Sequence, residues 1–361
     1  CKAKSPLRHP PRHGCRMKTA EFIFNHDGYG ILDDLYDTDR SERAAADLLV
    51  RPLAEAGLTS VEWGLSSTVL HNCRIRGGRP HSPALWEQLF AEVPKLRNNP
   101  ERRRIPEIVV HYNRQPRDLL DIVVHHGHEQ GLEVFAALRL NHALGPLWLE
   151  GAPGVRHNNG TRIDFRDESF HAYLEDIFAA ILERGVDGIT LDFERKAPFF
   201  PNAAPLDERV QAATRFVERM RRLTDKPIRA RVCHDAEIGT AQGQDPEGWL
   251  RAGLLDSVVP ATHNHEPDLL DWRFDRFVEA AKTSPRRARV CPQIWPTPEH
   301  WQQAQCRLHS DNAVRMRIGD ILAMGAHGVY FFNFCCFWPR HAETVPFAGL
   351  FNGLGRERQG A

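Results

Sequence analysis

The sequence predicts an α/β protein, a single (β/α)8 TIM barrel with long βα loops. Strand-like and helix-like runs alternate along the chain, which implies a parallel sheet with helices outside it. The 361 residues are 42% hydrophobic, enough for a large core and a usual length for one barrel domain. Near the middle, V-D-G-I-T-L-D-F-E-R (186–195) reads as a strand that ends in two carboxylates. Side chains alternate along a strand, so Ile189, Leu191 and Phe193 share one face and Thr190, Asp192 and Glu194 the other. The apolar face must lie under helices. Asp192 and Glu194 then emerge inside, at the C-terminal mouth where barrels carry their chemistry.

Strand one is expected at Glu21–His26, with a helix over 41–56 behind it. Strand two spans 60–63. A long insertion follows, with a Gly/Arg-rich turn near 77–80 and a charged stretch near 97–104, before a helix over 117–130. Strand three covers 133–140, then a loop through Gly160 and a helix over 169–184. Strand four is the carboxylate run, followed by a helix at Leu206–Leu223. Strand five covers 227–233 and strand six 257–262, with a helix over 268–282. Strand seven covers 288–294, with a helix over 311–324, and strand eight 328–334. The longest irregular segments follow strands two, three and four, on the face where barrel enzymes work.

Charged residues make up 26% and the formal net charge is zero, which argues against a general nucleic-acid binder. No apolar run approaches the roughly 20 residues of a membrane helix, so no membrane partner is expected. Residues 1–16 hold five Lys and Arg and no acid, and lack the apolar core of a signal peptide. They are expected to be a non-native or disordered leader to a domain that begins at Met17 and runs to residue 361. The eight Cys include no C-x-x-C pair; Cys233 and Cys291 fall in strand-like runs, and Cys335 and Cys336 are adjacent. That is the pattern of reduced thiols in a cytoplasmic protein. No cofactor is expected, and self-association stays open.

Alternation places further polar groups inside: Asn25 and Asp27 on strand one, Glu62 on strand two, Arg139 and Asn141 on strand three. Strand five contributes Arg229, Arg231 and, past its end, His234 and Asp235. Strand seven contributes Gln293 and Trp295, and strand eight Phe331 and Asn333. In strand six His263 and His265 share one parity and Asn264 the other. A mouth of planar amides, carboxylates, arginines and tryptophan suits sugar hydroxyls and ring faces. The alternative is an ion network plugging the barrel, such as Arg231 with Asp192, because buried charges need partners.

The stretch I-D-F-R-D-E-S-F-H-A-Y-L-E-D-I-F-A-A-I-L-E-R-G-V-D-G-I-T-L-D-F-E-R (163–195) resembles the glycosyl-hydrolase-like family 10 barrels. The resemblance implies a (β/α)8 fold and hydrolysis of O-glycosidic bonds. The strand-four motif also resembles the D-G-x-D-x-D-x-E of glycoside hydrolase family 18. Asp187, Gly188, Asp192 and Glu194 match, and Thr190 stands where that family has an aspartate. Carried over, Glu194 would be the acid and Asp192 its helper, with the Thr190 departure counting against a substrate-assisted route. Family 10 xylanases use a strand-seven Glu, where this chain has Gln293.

Glycoside hydrolysis needs an acid for the leaving oxygen and a nucleophile or base. The expected acid is Glu194 or Asp192. Asp27 is the preferred second carboxylate and His142 the back-up base; a site across the mouth from β4 leaves room for a water, as inversion requires, and retention stays open. Inward Arg139 and Arg231 suggest an acidic sugar (a uronate, a sialic acid or a sulfated residue), unless both pair internally. Two other classes compete. Among the 19 His, His26, His142, His234, His263 and His265 fall at or near strand ends, as in metal-dependent sugar isomerases and hydrolases; strand one, however, lacks an H-x-H. A barrel that binds carbohydrate without cleaving it would use Trp295 and Trp338 as stacking platforms. For both, and for Phe331, Phe332, Phe334 and Phe337, core packing is the plainer role.

Overall fold

A computed structural model describes residues 20–28, 31–93, 100–143, 145–194, 198–262, 274–295 and 311–334. The strands are β1 (Glu21–His26), β2 (Ser60–Gly64), β3 (Glu133–Arg139), β4 (Gly188–Asp192), β5 (Ile228–Cys233), β6 (Ser257–Ala261), β7 in two pieces (Arg289–Val290 and Gln293–Ile294) and β8 (Gly328–Phe331). All pairings among them are parallel, in chain order β1 to β6. The first piece of β7 pairs with β6 and the second with β8, which itself pairs with β1, so the sheet closes into the expected barrel. Pro292 has no N–H to give and divides β7 between its two neighbours.

Outward residues form one continuous core with the helices. Phe22, Phe24, Val61, Trp63, Val134, Leu138, Ile189, Leu191, Ile228, Val232, Val258 and Val329 belong to it, each 3% exposed or less. Each such side chain contributes about 1.5–3 kcal/mol by leaving water. A second, interior cluster gathers Ile23, Val259, Cys291, Trp295, Tyr330 and Phe332. The two clusters fix which parity of each strand faces inward.

They also correct one expectation. Phe331 lies in the outer core, and Tyr330 and Phe332 occupy the interior. Phe331 pairs with Phe24, which already faces the helices. Asn333 shares Phe331's parity, but the strand has ended and its φ of +59° turns the chain, so alternation does not aim it.

The 41–56 helix is two helices, Glu42–Leu49 and Arg51–Glu55, broken at Val50 because Pro52 in the second helix's first turn has no N–H to continue the first. The insertion after β2 carries two helices, Pro83–Glu92 and Pro100–Asn113, ahead of Leu119–Glu129. Two short helices, Ala236–Ala241 and Pro246–Arg251, follow β5, where none was expected. Among the described residues no helix is long and apolar enough to cross a membrane. Cys73, Cys233 and Cys291 are buried free thiols. The leader, Met17, His263, Asn264, His265, Cys335, Cys336, Phe337 and Trp338 lie outside the described residues.

Candidate active site

The inward polar groups form tiers. In the lower one, the Arg229 guanidinium donates to Glu62 Oε2 at 3.2 Å and to Glu21 Oε1 at 2.7 Å, and lies 4.0 Å over the Phe135 ring. Glu62 also accepts from Asn25 Nδ2 at 3.1 Å, from the Thr190 hydroxyl and from the Tyr330 hydroxyl. Burial opposes the charge on Arg229, but Glu21 and Glu62 more than compensate and raise its pKa. Burial, followed by the Glu62 charge, pushes the Tyr330 hydroxyl far up. Glu62 and Asn25, expected to bind substrate, are therefore joined to each other in an internal network, in which the buried Asn25 Oδ1 meets no donor among the described residues.

The upper tier follows from register. Thr190 pairs with Arg229 and Asp192 with Arg231, so one step of two residues along β4 and β5 leads from one tier to the next. Arg231 Nη1 donates to Asp192 Oδ1 at 2.9 Å and Nε to Gln293 Oε1 at 2.8 Å, with the guanidinium 4.1 Å from the Phe332 ring centre. Burial works against this cation too, yet Asp192, Tyr330 and Glu194 raise its pKa overall. Arg231 and Gln293 are thus tied to protein groups, and Arg231 is an internal counter-ion.

Asp192 Oδ1 also accepts the backbone N–H of Glu194 at 3.0 Å, a local turn that ends the strand. Glu194 Oε1 accepts from Gln244 Nε2 at 2.9 Å. Gln244 Oε1 in turn accepts the Cys233 N–H at 2.8 Å. Asp192 is 6% exposed, Glu194 and Gln244 2% each. The two acids thus stand at the C-terminal end of β4, Asp192 on its inward parity and Glu194 two residues on in the turn, each held by a named donor.

The remaining expected residues divide. Asp27 is buried at the end of β1, and its carbonyl accepts from Arg139 Nη2 at 2.9 Å; Arg139 Nη1 reaches Ser66 O at 2.9 Å. Arg139 accordingly ties the β1 and β2 loops together. Asn141 clamps the backbone of Ile163 through both ends of its amide, at 2.8 and 3.1 Å. His142 is buried, edge-on to Trp148 at 6.3 Å. Asp235 caps the helix Ala236–Ala241 through Ile238 N at 2.8 Å, and the half-buried His234 gives its carbonyl to Arg276. Trp295 is 4% exposed, packs edge-on to Phe332 at 5.0 Å and donates to Thr262 Oγ1 at 3.0 Å, so it is part of the interior cluster. Asn333 is buried, and its Oδ1 meets no donor among the described residues.

One of the histidines considered for metal chemistry, His26, can be followed further. His26 faces outward, with Nε2 2.9 Å from Leu49 O, and burial lowers its pKa to about 4. Among the described residues the grouping with metal-ligand chemistry is Glu42, His125 and His126, on outer helices. Sequence reasoning missed Tyr330, which correct parity in β8 would have found, and Gln244, a loop residue that strand alternation cannot reach.

No protein-family model matches the chain, and no curated protein sequence matches it. Solved structures do. The glycoside hydrolase domain of PgaB (BpsB) from Bordetella bronchiseptica is 12% identical and superposes with a TM-score of 0.55, over 92% of this chain and 98% of that one. Alpha-L-fucosidase isoenzyme 2 from Paenibacillus thiaminolyticus is 12% identical with a TM-score of 0.58, over 94% of this chain and 49% of that one. At this identity the likeness establishes the fold. The chain is a closed parallel (β/α)8 barrel with an ion-paired interior and two adjacent carboxylates at the end of its fourth strand.

Proposed function

We propose that this barrel hydrolyses O-glycosidic bonds, with Glu194 as proton donor to the leaving oxygen and Asp192 as the fixed anion beside it. The observation that carries the reading is the placement of two buried acids at the C-terminal end of β4, with Asp192 engaged by the Arg231 cation and Glu194 receiving the Gln244 amide. Asp192, paired with a buried arginine, is held as an anion, and Glu194, which the resemblance of the strand-four motif implies as the acid, is assigned the proton. Asp27 is the proposed second carboxylate and His142 the alternative base. Both structural neighbours carry names from sugar hydrolysis, which supports the class of reaction.

The expectation of an acidic sugar leaned on two arginines facing an open site. Arg231 is joined to Asp192 and Gln293, and Arg139 to two backbone carbonyls, so that support is withdrawn. The proposal names a glycoside, neutral or acidic.

The test is a panel of aryl glycosides and oligosaccharides, with product anomers read by NMR. Glu194→Gln should lower turnover by about 10²-fold or more, and more for poor leaving groups than for good ones, as loss of a general acid requires. Asp192→Asn should lose turnover for every leaving group. Near-normal rates in both variants would overturn the assignment, and binding without product release would point to a non-catalytic barrel.

A further inference from the structure

We infer that Gln244 is the positioning residue of the site: it fixes the carboxyl of Glu194 and tunes the pH at which that carboxyl gives up its proton. The inference rests on the hydrolase reading for its catalytic meaning and on geometry alone for the contact. Gln244 is 2% exposed, and both ends of its amide are engaged. The Cys233 N–H at 2.8 Å can only donate, so the end of the amide facing it must be the oxygen. That leaves the NH2 facing Glu194 Oε1 at 2.9 Å. The orientation follows from a backbone group that cannot reverse its role.

The turn that delivers Gln244 is built for the purpose. The helix Ala236–Ala241 starts on the Asp235 cap and ends in a tight reversal, where Gly243 N bonds Thr240 O at 2.8 Å and Gln244 N bonds Gly239 O at 2.9 Å. Gly243 has φ +79°, and a Cβ there would stand 2.7 Å from both Arg209 O and a Phe200 ring carbon. Only glycine fits, so Gln244 is set against the end of β5 with little freedom. Among the described residues, charged groups beside Glu194 include Asp192, whose Oδ1 takes the Glu194 N–H, and Arg231, whose pKa Glu194 helps raise. An amide donor on a carboxylate favours its charged form. Gln244 is therefore expected to hold the proton affinity of Glu194 below what the same site would have without the amide.

Two readouts test this. In the wild-type chain, the side-chain amide protons of Gln244 should shift in the NMR spectrum as Glu194 titrates, and that dependence should vanish in Glu194→Gln. An amide indifferent to Glu194→Gln overturns the inference whatever the chain hydrolyses. The second readout is kinetic. Gln244→Met, similar in length but without the amide donor and without a new charge, should move the limb of the kcat/KM profile that reports Glu194 to higher pH by about one unit or more. Gln244→Ala should lower kcat by about 10-fold or more with KM nearly unchanged. A purely packing role would leave the profile where it was, and that result would also overturn the inference. If the wild-type amide follows Glu194 but no glycoside is cleaved, the hydrolase reading fails and the contact stands; the comparison of wild type with Glu194→Gln does not depend on any Gln244 variant folding.

Discussion

Replacing Arg231 by Met removes a cation that is 3% exposed and makes two directed hydrogen bonds, to Asp192 Oδ1 and Gln293 Oε1, over the Phe332 ring. What remains is the Asp192 carboxylate, buried without its counter-ion. Breaking a buried pair from one side costs about 3–5 kcal/mol, most of it the stranded charge rather than the lost attraction. Asp192→Asn strands the guanidinium instead and should cost a similar amount. The double variant, Arg231→Met with Asp192→Asn, strands neither, so it should be more stable than the sum of the single losses by roughly 2–3 kcal/mol. Arg231→Lys keeps the charge but not the fork that reaches both Asp192 and Gln293, and should lose about 1–2 kcal/mol. Urea unfolding of the four variants, followed by tryptophan fluorescence, gives the cycle directly. A coupling below about 0.5 kcal/mol would mean that the pair does not act as a unit, and the view of Asp192 as a fixed anion would fall with it.

Arg229→Met, which strands Glu21 and Glu62 in the lower tier, should cost about 3–5 kcal/mol in the same unfolding assay; a loss under about 1 kcal/mol would show that those acids find other relief. Stability should also fall on mild acidification. Burial holds His26, His71 and His171 near pKa 4 and His81 near 3, all below their ordinary 6.5. The unfolded chain binds protons that the folded one refuses, so this contribution is complete above pH 6.5 and is lost as pH falls from there towards 4. Each histidine adds a slope of about 1.4 kcal/mol per pH unit at most. Unfolding free energies measured between those limits should show an uptake of more than one proton, and a flat profile would refute the assignment.

The fold was legible wherever a strand contrasts an apolar face with a polar or small one. In β4 and β5, Ile, Leu, Val and Ala alternate with Thr, Asp and Arg, and register follows from that contrast alone. β8 offers none: G-V-Y-F-F-N-F is aromatic on both faces, and only its pairing with β1 decides that Phe331 goes out and Tyr330 in. The insertion after β2 hid a helix, Pro100–Asn113, because its first turn is charged and Pro106 interrupts it. Neither feature stops a helix that neighbouring elements hold in place; both stop one that is judged on local preference.

For the site, the sequence told which residues face inward but not which of them satisfy each other. That second question depends on register between strands far apart in sequence. Arg229 meets Glu21 across 208 positions and Tyr330 meets Glu62 across 268. The distinction bears on chemistry. A carboxylate joined to a buried arginine, an amide and two hydroxyls is fixed in charge and geometry, and serves the barrel as structure. The tiers therefore impose an order on the interior: the Glu62 level holds the strands together, the Asp192 level supplies a held charge, and Glu194, whose N–H closes the turn that ends β4, is the proposed proton carrier. Substitutions should then divide by height in the barrel: stability alone is lost at the Glu62 level, stability and turnover together at the Asp192 level, and turnover at Glu194. A lower-tier variant such as Thr190→Val that kept its stability and lost its turnover would contradict that order, and with it the choice of Glu194 over the acids beneath it.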